Sequence, residues 1–184
     1  MIQNRTQMLR FIQKEIQPQA GAEIGVQYAI FSKAILTEMP RIKLFSIDPY
    51  KHFDPKEYLD ISNVPQFEQD INYETAKENL QELGLRSKLI RLTSTEAATT
   101  ISNHSLDFVY LDGNHSYKGL MEDLNTWYPK IKKGGYLSGH DYINHVDAFA
   151  DFEVKKAVDE FAKKHNLELQ TTEKEMKSWF IKVY

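Results

Sequence analysis

Cysteine is absent from the 184 residues. This excludes disulfides, thiolate zinc centres and a cysteine nucleophile, and leaves any metal to oxygen and imidazole donors. Long apolar runs are absent too. None approaches the roughly 20 residues needed to span a bilayer, and the start, MIQNRTQMLRFIQKEIQ, has no continuous signal-length stretch. Basic charge is not in excess: 23 Lys and Arg face 26 Asp and Glu, for a formal net charge of −3. A protein that binds nucleic acid by neutralising phosphates needs a concentrated basic face, so neither a nucleic acid nor a membrane is expected as a partner. Repeats, low-complexity tracts and Gly/Ser linkers are also missing. With 41% hydrophobic residues the chain can bury a sizeable core, and a single domain over 1–184, soluble and cytoplasmic, is the expectation.

What is present alternates between two periods. Ala22 to Val26, Ile42 to Ile47, Lys88 to Leu92, Leu106 to Leu111 and Gly135 to Ser138 are short strand-like runs bounded by breakers. Helical spacing lies between them. Phe67, Ile71, Ala76, Leu80 and Leu83 form one stripe, stopped by Gly84. A second runs through Leu120, Leu124, Trp127, Tyr128 and Ile131 to Gly134-Gly135, and a third through Val154, Ala157, Val158 and Phe161. Strands joined through helices must be parallel, so the pattern predicts an α/β fold with a doubly wound sheet. Leu167 to Gln170 and Trp179 to Val183 are too close for a helical crossover and should form an antiparallel hairpin, bringing the sheet to seven strands.

Two segments stand outside this rhythm. Residues 1–19 carry a helical extension with Met8, Leu9, Ile12 and Ile16 on one face, to cover the sheet or to pair with a second subunit in a homo-oligomer. The stretch 50–65 is a long loop with Tyr50, His52, Phe53 and Tyr58, read either as a lid or substrate loop or as a surface excursion.

Chemistry concentrates in DFVYLDGNHSYKGLMEDLNTWYPKIKKGGYLSGHDY, residues 107–142. Two strand-like runs there end in Asp112 with His115 and in His140 with Asp141. Ligands of open α/β sheets lie beyond the carboxyl ends of the strands, so these four groups should share a crevice. Earlier, Glu23-Ile24-Gly25 forms a strand and turn before a helix, where amides can approach a ligand, and Asp48 ends the second strand, where a carboxylate can hold a ribose. Each also has a plain structural reading: Gly25 as a turn, Asp48 as a surface carboxylate, Asp112-Gly113-Asn114 as a turn and Asp141 as a cap.

Glu23-Ile-Gly25, Asp48, Ser94-Thr95-Glu96 and Asp112-Gly-Asn-His115-Ser-Tyr117 together resemble the class I S-adenosylmethionine-dependent methyltransferases. The 107–142 block resembles a bacterial branch of small O-methyltransferases related to macrolide-sugar methyltransferases. The resemblance implies a Rossmann-like methyltransferase fold and S-adenosylmethionine as cofactor. It would place Glu23 by the methionine amino group, Gly25 beneath it, Asp48 on the ribose, Ser94 by the adenine and Asp112 alongside. Ala29 stands where a second glycine is common, and Leu92 where a glycine often precedes the adenine contact. The same resemblance implies His115 as general base with Asp112, and a divalent metal, Mg or Mn, on Asp112, Asp141 and His140. An imidazole ligand there would favour manganese, iron or zinc over magnesium. The partner is then a small-molecule hydroxyl acceptor. A nicotinamide-dependent oxidoreductase is the alternative, disfavoured by the lack of a full Gly-x-Gly-x-x-Gly turn, and a non-catalytic nucleoside-binding module is another.

Overall fold

The computed structural model describes residues 1–147, 151–174 and 176–184. Its sheet is built from β1 (Ala20–Ile24), β2 (Lys43–Ile47), β3 (Ser87–Ile90), β4 (Leu106–Leu111), β5 (Ile131–Gly139), β8 (Leu169–Thr171) and β9 (Trp179–Lys182). The order across the seven strands is β3-β2-β1-β4-β5-β9-β8, and a separate two-residue ribbon pairs β6 (His145–Val146) with β7 (Asp151–Phe152). Strands β1 to β5 run parallel, while β9 is antiparallel to both β5 and β8. This is the expected doubly wound sheet with its C-terminal hairpin.

The centre of the sheet shows why the strands read as near-continuous apolar runs. In β4, Phe108 and Tyr110 enter one core while Val109 and Leu111 enter the other, because successive side chains point to opposite faces. Helices cover both sides: α1 (Arg5–Ile16), α2 (Ile30–Glu38), α3 (Gln66–Gln81), α4 (Ser94–Ala98), α5 (Tyr117–Trp127) and α6 (Val154–His165). Met8, Leu9 and Ile12 of α1 are fully buried in the core shared with α2, so the N-terminal extension covers the sheet.

Two helical readings need correction. The expected stripe on α3 fails at its start: Phe67 and Ile71 are 65% and 59% exposed, and the inward face is Gln69, Asn72, Ala76 and Leu80. Gln69 is held inside by a hydrogen bond to the Ser62 carbonyl at 2.9 Å, so local pairing with the preceding loop outweighs the apolar count. The stripe through Tyr128 and Ile131 is in fact a helix ending at Trp127, a 3-10 turn over Tyr128–Lys130 and then β5. Pro129 lacks the amide needed to continue the helix, and Gly134, at φ +82°, lies inside the strand.

No helix among the described residues is long and apolar enough to cross a membrane.

Candidate active site

Gly25 shapes the cleft. Its φ is +85°, and a Cβ there would lie 2.0 Å from the Asp112 carbonyl oxygen, so only glycine lets the β1 turn pass the tip of β4. Asp48 braces the same turn. Its Oδ2 accepts from the amides of Val26 and Gln27 at 2.9 and 3.1 Å, and its Oδ1 from the Tyr50 amide at 2.9 Å. Ala29, in the position of the expected second glycine, holds a left-handed backbone at φ +61°, a conformation that costs an L-residue about 1–2 kcal/mol.

Glu23 is 1% exposed on β1 and accepts a hydrogen bond from the Ser32 hydroxyl. Burial pushes its carboxyl up to about 8, against the Ser32 hydrogen bond, with Asp112 adding repulsion and Arg5 opposing it. Arg5 is a site residue with no signal in the sequence. It reaches from the first turn of α1 into the cleft, its guanidinium 4.5 Å above the Phe31 ring, and it has no carboxylate within ion-pair distance among the described residues.

Across the cleft, His115 is held by three carboxylates. Its Nδ1 lies 2.8 Å from Asp60 Oδ2, and its Nε2 lies 3.5 Å from both Asp112 Oδ1 and Asp141 Oδ2. The ring stacks on Phe152 at a centroid distance of 4.4 Å and an interplanar angle of 10°. Burial pulls the imidazole pKa down, but hydrogen bonds and charges from Asp112 and Asp60 outweigh it and lift the value to about 10. The imidazolium here neutralises a nest of carboxylates. Asp60 comes from the 50–65 loop, which also hydrogen-bonds the Gly113 carbonyl through the Tyr58 hydroxyl at 3.3 Å, so that loop walls the cleft.

The metal-type cluster is Asp112, His115 and Asp141, whose donor atoms all lie within 4.8 Å of one another. His140, expected as the third ligand, stands apart. Its Nδ1 is 3.1 Å from Asp141 Oδ1 and 3.9 Å from Asp112 Oδ1, and its ring lines a side hollow with Asn4, Arg5 and Thr172 rather than the cleft. β5 ends at Gly139 and Asp141 takes a left-handed backbone at φ +47°, and of the two side chains only that of Asp141 lines the cleft.

Ser94 does line the cleft, but its hydroxyl is engaged. It donates to Asp123 Oδ1 and accepts from Trp127 Nε1 at 2.8 Å. Asp123 was legible in hindsight as a carboxylate set inside the apolar stripe of Leu120, Leu124 and Trp127; Asp60 and Phe152 had no comparable signal. The cleft measures about 790 Å³, the size of a small-molecule site, and opens at the carboxyl ends of β1, β2, β4 and β5.

Sheet order and cleft position together define a class I methyltransferase fold. Residues 19–142 match the family described as "Methyltransferase domain", and the chain belongs to that family. Among curated proteins it is 25% identical over 121 residues to uncharacterized protein y4gI of Sinorhizobium fredii, covering 66% of this chain and 12% of that protein. It is 36% identical over 39 residues to uncharacterized protein R132 of Acanthamoeba polyphaga mimivirus, covering 21% of this chain and 18% of that protein. The chain therefore spans a small part of the curated relatives it matches.

Solved structures share the fold at low identity. Cofactor-bound Rv0187 from MTB superposes with a TM-score of 0.72 at 14% identity, over 97% of this chain and 79% of that one. A candidate caffeoyl-CoA O-methyltransferase from Staphylococcus aureus gives 0.71 at 11% identity, over 96% and 82%. A candidate rRNA-methylase from Clostridium thermocellum gives 0.70 at 15% identity, over 99% and 98%.

Proposed function

We propose that the chain is an S-adenosylmethionine-dependent O-methyltransferase acting on a hydroxyl of a small molecule such as a sugar, glycoside or phenol, with a divalent metal assisting. The observation that carries this reading is the meeting of two chemistries over one cleft: Glu23, Gly25 and Asp48 on one side, Asp112, His115 and Asp141 on the other. The residues fit the cofactor. A buried acid beside an arginine without a carboxylate partner suits an amino-acid zwitterion, with Glu23 taking the ammonium and Arg5 the carboxylate. Asp48 at the β2 tip suits a ribose diol.

The cofactor supplies a methyl on sulfonium, open to in-line displacement by an oxygen nucleophile. The chain supplies alignment and a place for the acceptor's proton. With the imidazole pKa at about 10, His115 is charged at neutral pH and does not accept that proton. Asp112 and Asp141 would hold a divalent cation, whose charge would weaken their support for the imidazolium and leave His115 as the base, with Asp60 fixing its Nδ1. Asp112 and Asp141 would supply the carboxylate ligands, an oxygen donor set that fits magnesium or manganese.

Isothermal titration with S-adenosylhomocysteine tests the reading. Wild type should bind, and Asp48→Ala should weaken binding about tenfold or more, the loss of hydrogen bonds to a charged group. A flat titration of the wild-type chain overturns the proposal.

A further inference from the structure

We propose that Phe152 is a positioning residue for the transfer step, its ring fixing the plane of His115 so that Nε2 stays aimed between Asp112 and Asp141. The proposal takes its chemistry from the methyl-transfer reading above.

The Asp60 carboxylate can only accept, so His115 Nδ1 donates to its Oδ2, at 2.8 Å. That bond fixes one corner of the imidazole and leaves the ring free to swing about the contact. A second restraint is needed to set the plane. Phe152 supplies it, lying parallel to the imidazole to within 10° at a centroid distance of 4.4 Å. With one edge and one face held, Nε2 lies 3.5 Å from Asp112 Oδ1 and 3.5 Å from Asp141 Oδ2, where a proton acceptor adjoins the metal-type carboxylates.

The backbone around Phe152 is tied to the same pair. On one side the Asp151 amide donates to the carbonyl of Leu59, the neighbour of Asp60, at 3.2 Å; on the other the Glu153 amide donates to the carbonyl of His115 itself at 2.9 Å. Phe152 is thereby fastened to both residues whose contact it covers. Behind it, β7 pairs with β6 through His145 and Val146, and the Glu153 carbonyl accepts the Ala157 amide as α6 begins. A ring anchored on both sides is stiff enough to orient another side chain by packing.

If Phe152 only filled space beside the 50–65 loop, a leucine would serve nearly as well, being apolar and of similar reach. Holding a neighbouring ring in plane needs a flat partner. His145 offers an internal comparison. Its Nε2 lies 2.9 Å from Asp147 Oδ2, the same imidazole and carboxylate pairing, but its side chain is 61% exposed.

Imidazole N–H protons of the isotope-labelled whole chain, followed by NMR at neutral pH, test this, the signal missing from His115→Gln being that of His115. In wild type its proton should exchange with water about tenfold or more slowly than that of His145, the worth of a bond to a buried charged group. Phe152→Leu should speed that exchange about two- to tenfold, the worth of an aromatic pair, and Phe152→Tyr should restore it. Methyl transfer to a phenol should follow the same order, kcat falling in Phe152→Leu at unchanged KM and returning in Phe152→Tyr. Equal S-adenosylhomocysteine affinity in the three chains shows that the variants are folded. Equal exchange at His115 and His145 in wild type overturns the proposal whether or not a variant folds. So does a Phe152→Leu chain with wild-type exchange, which would leave Phe152 as packing, or one changed only in KM, which would make it an acceptor contact. A wild-type chain that binds no S-adenosylhomocysteine removes the cofactor reading, and the exchange rates still decide the role of Phe152.

Discussion

At the scale of single residues, the cleft holds carboxyls that burial withdraws from water, Glu23 above all. Glu23 shows the consequence for stability. Its pKa in the folded chain is about 8, above its ordinary value of 4.5, because burial favours the neutral form. A raised carboxyl contributes its full stability below about 4.5 and loses it as pH rises through about 8, each unit of difference being worth about 1.4 kcal/mol. Glu23→Gln should flatten this slope, leaving the ligand-free variant more stable than wild type at pH above about 8. Thermal melts of both chains from pH 5 to pH 9 check it; parallel curves would mean Glu23 is ionised at no cost. Asp123 titrates in the same window, so the comparison must be between variant and wild type rather than the slope of wild type alone. Glu23, Gly25, Asp48, Asp112, His115 and Asp141, singled out in the sequence, all line one cleft, because each sits at or just beyond the end of a strand-like run where chain direction fixes its place. Arg5 and Asp60 were not singled out. One acts from a helix and the other from a loop, and no periodicity ties either to the strand tips.

At the scale of elements, burial separates helices that look alike in sequence. Leu9 of α1 is fully buried, whereas Phe67 of α3 is 65% exposed. Leu9→Ala should cost about 2–5 kcal/mol, and Phe67→Ser less than about 0.5 kcal/mol. Urea unfolding measures both, and comparable losses would contradict the assigned face of α3. The misread stripe has a physical cause. α3 follows the 50–65 loop, and Gln69 and Asn72 turn inward, Gln69 bonding the loop carbonyl of Ser62, an arrangement that hydrophobic spacing cannot reveal. The loop itself read as either a lid or a surface excursion. Its Asp60 side chain, 3% exposed and 2.8 Å from His115, makes it a wall of the site. Strand β4 shows the opposite case, since its apolar run and its boundaries agree with the sequence reading throughout.

For the whole molecule, charge balance across the cleft leads to the last prediction. Asp60, Asp112 and Asp141 converge on a single imidazole, leaving net negative charge beside the acceptor space. Manganese or magnesium should therefore raise the melting temperature, with the logarithm of how far its concentration exceeds its dissociation constant, and EDTA should reverse the shift. Methyl transfer to glycosides and phenols should fall with the same chelation, and a melting temperature indifferent to all three additions would count against a metal at this cluster. The sequence by itself determined the alternation of strands and helices, the parallel sheet with its antiparallel hairpin, and the strand tips that meet at the cleft. These follow from local periodicity and from the chirality of crossovers, which are properties of neighbouring residues. Only the tertiary structure decided that His115 rather than His140 gathers with Asp112 and Asp141, that Arg5 and Asp60 line the cleft, and that Asp123 is bonded to Ser94. Those outcomes depend on which side chains converge from segments far apart in the chain, and packing sets that convergence.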